Sequence, residues 1–264
     1  MPAPGDSSRP VAPSPLEAFE ALTRNQGQGV RIAVLDSGLD RSHPRLAGLA
    51  LVEHLTLECI GARVQAEPSE PNDPLGHGTA VIDILHRAAP AAEIGVFQIL
   101  HRPPGTSAQV VAEAARLAAR HGYRIVHCSL GSPARREDAL LHKDWLDALY
   151  LRGIHVVAAG SNSGFAQPEW PAWFPTVVAV GACPSDSPGL RLQDGSLVEF
   201  LTSGRSTAAW TRGQTSDVVG SSFAAPKVTA LLARLLAAFP SLAPLAAKSL
   251  LKAMARLGRD LPAE

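Results

Sequence analysis

The stretch 30-VRIAVLDSGLD-40 is an apolar run, interrupted only by Arg31, that ends on an aspartate and then turns at a glycine. An apolar run of this length bounded by a turn suits a buried strand. Its carboxyl end then carries a polar group, Asp36, where the buried segment meets a loop. In open α/β sheets that end is where active groups gather. Whether Asp36 is more than a turn aspartate depends on what surrounds it.

Strand and helix patterns alternate outward from this stretch. LEAFEALTR (16–24) reads as a short helix before it, and residues 61–76 after it read as turn-rich and exposed. AVIDILHRAA (80–89) has helical spacing, EIGVFQIL (93–100) reads as a strand, and AQVVAEAARLAARHG (108–122) as a helix closed by Gly122. RIVHCSLG (124–131) is strand and loop, and REDALLHKDWLDALYLRG (136–153) is a helix. IHVVAAG (154–160) and TVVAVGA (176–182) are two more strands. Residues 184–217 are polar and weakly patterned, as hairpins and loops are, and helices over 222–239 and 241–258 close the chain. The alternation predicts an α/β fold of three layers: a mostly parallel twisted sheet with helices on both faces. Residues 1–15 read as a disordered Pro/Ser-rich tail and 16–264 as a single domain.

Composition narrows the function. Formal net charge is zero with a pI near 7, so no basic field supports nucleic-acid binding or an anionic membrane surface. No run of 18 apolar residues spans a membrane, and the N-terminus lacks a secretory signal, so the expected location is cytoplasmic. Cys59, Cys128 and Cys183 are odd in number and far apart, and they read as free thiols in a reducing compartment.

Three short segments each end an element on a reactive residue: 36-DSGLD-40, 76-GHGT-79 and 220-GSSFAAP-226. Singly, Asp36 suits a turn, His77 a loop and Ser222 a helix cap. Jointly they supply a nucleophile, a general base and a carboxylate that orients the base. A serine hydroxyl is a poor nucleophile until a neighbour removes its proton, and a histidine can do so near neutral pH.

The three segments resemble, in the same order, the signatures of the subtilisin-like serine peptidases (subtilases): a strand into D-[ST]-G, then H-G-T, then G-T-S-M-A-[AS]-P. IVHCSLGS and VVAAGSNSG resemble the family's strand into S-L-G and its strand toward the oxyanion asparagine, so the likeness runs over about residues 16–258. The resemblance implies a subtilisin-like fold and a serine endopeptidase working through an acyl-enzyme. Asp36, His77 and Ser222 would be its triad, with Ser221 in place of the usual threonine. The backbone N–H of Ser222 would be one oxyanion donor. The family places an asparagine directly after A-A-G, whereas here Ser161 intervenes, so the second donor is Asn162 or Ser161. Pro226 is read as lying in the first helical turn, where its missing N–H costs nothing.

The resemblance also implies that peptide substrate lies extended between 129–131 and 99–103. Its first pocket would be walled by Ser129, Leu130, Gly131, Ala158, Ala159 and Gly160, with Glu169 at the floor. A carboxylate there favours Lys or Arg before the cut, unless Glu169 is simply a solvated loop residue. Trp170, Trp173 and Phe174 read as packing around that loop. The family's calcium site uses an aspartate where Arg45 stands, and a loop that the 16 positions from His77 to Glu93 leave no room for, so no metal and no cofactor are expected. Only 35 residues precede Asp36, too few for a folded prodomain. The expected partner is therefore a peptide or protein substrate, in an intracellular precursor-processing role, and the chain either folds unaided or takes help from a separate precursor peptide or folding helper. The alternative within this fold is a catalytically weak or inactive peptide-binding module. A phosphoryl-transfer enzyme is disfavoured, since D-S-G-L-D spaces its carboxylates wrongly and no G-x-x-x-x-G-K loop is present.

Overall fold

The computed structural model describes residues 12–101, 105–164, 167–183 and 189–258. Among the described residues, thirteen strands and six α-helices follow one another. Helix α1 (Pro15–Arg24) leads into β1 (Arg31–Asp36), β2 (Ala50–Ile60), β3 (Arg63–Pro68), α2 (His77–Ala88) and β4 (Glu93–Gln98). Next come α3 (Ala108–Arg120), β5 (Ile125–Cys128), β6 (Ser132–Pro133), α4 (Arg136–Leu151), β7 (His155–Ala159) and β8 (Glu169–Trp170). The chain ends with β9 (Val178–Cys183), β10 (Arg191–Leu192), β11 (Phe200–Ser203), β12 (Arg205–Ala209), β13 (Thr215–Val219), α5 (Ser221–Ala238) and α6 (Pro244–Arg256).

Nine strands form one sheet in the order β10-β11-β9-β7-β5-β1-β4-β2-β3. Every pairing from β11 across to β2 is parallel, and only the outermost strands, β10 and β3, run antiparallel. Strand β1 sits near the middle with both faces covered, which is why it reads as a nearly unbroken apolar run. Its alternate side chains enter different cores. Ile32 and Val34 join α1, α2, α5 and α6 on one face, while Ala33 and Leu35 join α3 and α4 on the other. The mostly parallel, helix-covered sheet expected from the alternation is therefore present.

Four readings need correction. Residues 61–76 are not all turn: 63–68 form β3, which closes an antiparallel hairpin with β2 across Gly61 at φ +63°. Within 184–217, β11 is an integral parallel neighbour of β9 rather than loop, and residues 184–188 lie outside the described ones. Ser14 and Pro15 do not belong to a disordered tail, because Ser14 caps α1 in a capping box with Glu17 and Pro15 is already helical; residues 1–11 of that reading lie outside the described ones. Pro226 lies six residues into α5, not in its first turn.

Candidate active site

The cleft opens at the carboxyl ends of β1, β5 and β7. Asp36 is the last residue of β1 and fully buried. Its Oδ1 accepts the Ser37 N–H at 2.7 Å and lies 2.8 Å from His77 Nδ1. With Nδ1–H donated to that carboxylate, Nε2 is the lone-pair nitrogen and can take a proton. Burial by itself would push the His77 imidazole down, but the Asp36 charge and hydrogen bond, with Asp73 adding, hold it above its ordinary value.

His77 is the first residue of α2, and two glycines allow it to reach β1. Gly76 has φ +85° and lies flat against Trp210, whose ring a Cβ would meet at 2.5 Å. A Cβ on Gly78 would sit 2.3 Å from the Gly38 carbonyl. The G-H-G pattern is thus a backbone-contact requirement. Asp73, in the segment read as exposed, is only 6% exposed and accepts N–H groups of this helix start. Its spacing just ahead of the helix was the available sign of a capping carboxylate.

The two adjacent serines have different surroundings. Ser221 is buried; its hydroxyl donates to the Gly160 carbonyl at 2.6 Å and its N–H to Asn162 Oδ1 at 2.8 Å. Ser222 lines the cleft with His77, and its hydroxyl donates to the Ser129 carbonyl at 3.1 Å. Ser129 Oγ in turn donates to the Ser222 carbonyl at 2.7 Å. That carbonyl is available because the residue four further on is Pro226, which has no N–H to offer the helix. Ser129 is backed by His127, whose Nε2 lies 2.7 Å from Ser129 Oγ and whose Nδ1 lies 2.8 Å from Thr229 Oγ1. Burial drops the His127 imidazole to about 4, so it is a neutral link between β5 and α5. The sequence carried no sign of this role.

The remaining expected residues divide. Ser129, Leu130, Gly131, Ala159, Gly160, Ser161, Asn162 and Glu169 line the same cleft of about 660 Å³. Ala158 does not; it is fully buried on the opposite face of β7, in the core under α3 and α4, because neighbouring strand residues point to opposite faces. Asn162 presents its oxygen to the Ser221 N–H, so its amide nitrogen is the end left for the cleft. Ser161 Oγ accepts the Ser163 N–H at 3.1 Å and keeps its own O–H as a donor. The Glu169 carboxylate lies along Gly131, where a Cβ would meet its Oε2 at 2.5 Å. Strand pairing of β6 with β8 places it there, and Trp170 stacks on Phe174 behind it. Of the expected substrate segment 99–103, residues 102 and 103 lie outside the described ones, and Leu100 lines the cleft.

Near the cleft, Cys128 is buried and its thiol is pushed up to about 12 by that burial and by Asp36, which makes it inert. Arg45 bonds Asp83 Oδ2 at 3.3 Å and the Thr207 carbonyl at 2.7 Å, tying α2 to the β12–β13 hairpin that leads to Ser221 and Ser222. Among the described residues no group of three or more His, Cys, Asp or Glu is placed to hold a metal, and no helix is long and apolar enough to cross a membrane.

The sequence model of the subtilase family matches residues 27–263. The chain is 30% identical to M-protease of Shouchella clausii (strain KSM-K16) over 218 residues, covering 78% of this chain and 54% of that protein, so it spans about half of its length. It is 30% identical to Subtilisin Savinase of Lederbergia lenta, covering 76% of this chain and 74% of that one. Thermitase of Thermoactinomyces vulgaris is 26% identical, with 75% and 71% covered. Among solved structures, Sphericase superposes with a TM-score of 0.70 at 25% identity, covering 85% of this chain and 82% of its own.

Proposed function

The chain belongs to the subtilase family and is a subtilisin-like serine endopeptidase; from that premise we propose that it cleaves precursor peptides after a basic residue, inside the cell, with Asp36, His77 and Ser222 as its triad. The observation that carries the triad is the 2.8 Å contact of His77 Nδ1 with Asp36 in the cleft that Ser222 also lines. Ser222 Oγ adds to the substrate carbonyl carbon while His77 Nε2 takes its proton. The resulting oxyanion is held by the Asn162 amide and the Ser222 backbone N–H. His77 then gives its proton to the leaving amine as the C–N bond breaks, and water releases the acyl group by the same route. Asp36 keeps the tautomer and stabilises the imidazolium throughout.

Two features support the finer reading. The Glu169 carboxylate sits on the cleft wall beside Gly131, where it complements a Lys or Arg side chain. Among the described residues Cys59, Cys128 and Cys183 form no disulfide, which suits a reducing compartment. Extended substrate pairs with Ser129–Gly131.

Fluorophosphonate labelling tests the activity. Folded wild type is expected to be labelled at Ser222 and Ser222→Ala to be unlabelled and inactive. Ser221→Ala keeps turnover but loses about 1 kcal/mol of stability with its buried hydrogen bond. Folded wild type that resists labelling would establish the inactive peptide-binding alternative instead.

A further inference from the structure

We propose that Asp73 is a positioning carboxylate of this active site, locking the start of the His77 helix to the end of β1 and neutralising the positive helix terminus beside the imidazole. The inference rests on the endopeptidase reading above.

Five donors converge on this side chain. Asp73 Oδ1 accepts from Ser37 Oγ at 2.8 Å, the Leu75 N–H at 3.1 Å and the Gly76 N–H at 2.8 Å. Oδ2 accepts from the Thr79 N–H at 2.8 Å and Thr79 Oγ1 at 2.7 Å. An ordinary helix cap needs one or two acceptor sites, and only an ionised carboxylate offers about four lone pairs with no donor of its own. Ser37 joins this carboxylate to the other one. Its N–H goes to Asp36, its hydroxyl goes to Asp73, and the same hydroxyl accepts the Gly78 N–H at 2.9 Å. The two residues flanking His77, Gly76 and Gly78, are therefore both fixed through this pair, and His77 has little freedom to move off Asp36.

The charge has a separate effect. A helix N-terminus carries roughly half a positive charge, which opposes a cation on its first residue. His77 is that first residue, and it becomes a cation in the step that activates Ser222. Asp73 offsets the terminus, so the imidazolium forms beside two carboxylates rather than against an uncompensated dipole. Among the described residues, the charged and titratable groups around His77 are Asp36 on β1, Asp73 ahead of α2, buried neutral His127 on β5 and Glu169 across the cleft, while α5 presents the apolar ring of Phe223.

The test compares wild type, Asp73→Asn and Ser37→Ala for kcat, KM and pH profile, with the His77 ring titration followed independently by NMR. Asp73→Asn keeps the shape, removes the charge and replaces one acceptor oxygen by an NH2 that cannot accept the donors facing it. It is expected to lower kcat about tenfold with KM within about twofold, and to move the His77 titration to lower pH by several tenths of a unit. Ser37→Ala keeps both charges and breaks the bridge, so kcat falls while the titration stays in place. An Asp73→Asn enzyme with an unmoved titration, or one whose only change is a lower melting temperature, overturns the proposal. If Asp73→Asn does not fold, wild-type kcat in Ser37→Ala overturns it and a reduced kcat supports it. A wild type without turnover would refute the endopeptidase reading, yet the NMR shift would still decide the role of Asp73.

Discussion

Replacing Glu169 by glutamine should remove selection for a basic residue before the cut while leaving cleavage after a neutral one intact. Two opposite charges 4 Å apart at an effective dielectric of 20 attract by about 4 kcal/mol. Glu169 is half-buried on the wall of an open cleft rather than enclosed. Solvent therefore screens the pair toward the surface value of under about 1 kcal/mol. An intermediate value of about 1–2 kcal/mol corresponds to a five- to thirtyfold preference in kcat/KM. The assay uses paired peptides that differ only at the residue before the cut, Arg against citrulline and Lys against norleucine, in wild type and Glu169→Gln. The preference should collapse to within about twofold in the variant, and in wild type it should shrink as salt rises from about 0.05 to 0.5 M. Equal ratios in the two enzymes would refute the reasoning, because Glu169 would then be a solvated wall residue that the substrate side chain does not reach.

Further outcomes follow from the same geometry. Asn162→Ala should lower kcat on the order of 10²–10³, the loss known for such a donor in subtilisin, with KM little changed; steady-state kinetics against Ser161→Ala, which should lose far less, separates the two candidates. Because His77 must be neutral to accept the Ser222 proton and its pKa is raised, the acid limb of kcat/KM should fall above pH 6.5; a limb below that value would show that Asp36 does not outweigh burial. Buried His127 and His155 are both depressed to about 4 while unfolded histidines titrate near 6.5, so the unfolded state binds protons first on acidification. Stability should be fully present above about pH 6.5 and decline toward pH 4 by up to a few kcal/mol. Urea midpoints across that window should fall less steeply in His127→Asn.

Some of this molecule was plain in local sequence. The apolar run into Asp36 has the length and flanks of a strand buried on both faces, and α3, α4 and the closing helices carry their own periodicity and stops. The hairpin of β2 and β3 and the sheet strand β11 were harder, because each has an exposed or edge-like pattern that only pairing turns into a strand. Ala158 was misplaced for a related reason: adjacent residues of β7 belong to different faces, and the face of each is set by the layers above and below.

The sequence by itself pointed to serine-peptidase chemistry, since Asp36, His77 and Ser222 each stand in a short motif at an element's end, and such motifs are local. It also singled out Ser222, one residue past Ser221, as the serine at the nucleophile's place in the family resemblance. Tertiary structure alone decided what supports them. Ser37 meets Asp73 across 36 residues, Ser221 meets Asn162 across 59, and Ser129 meets the carbonyl that Pro226 leaves open on Ser222 across 93. A buried polar group must find a partner, but which partner is brought to it depends on how the strands and helices stack. The sequence states the need, and the packed sheet supplies the answer.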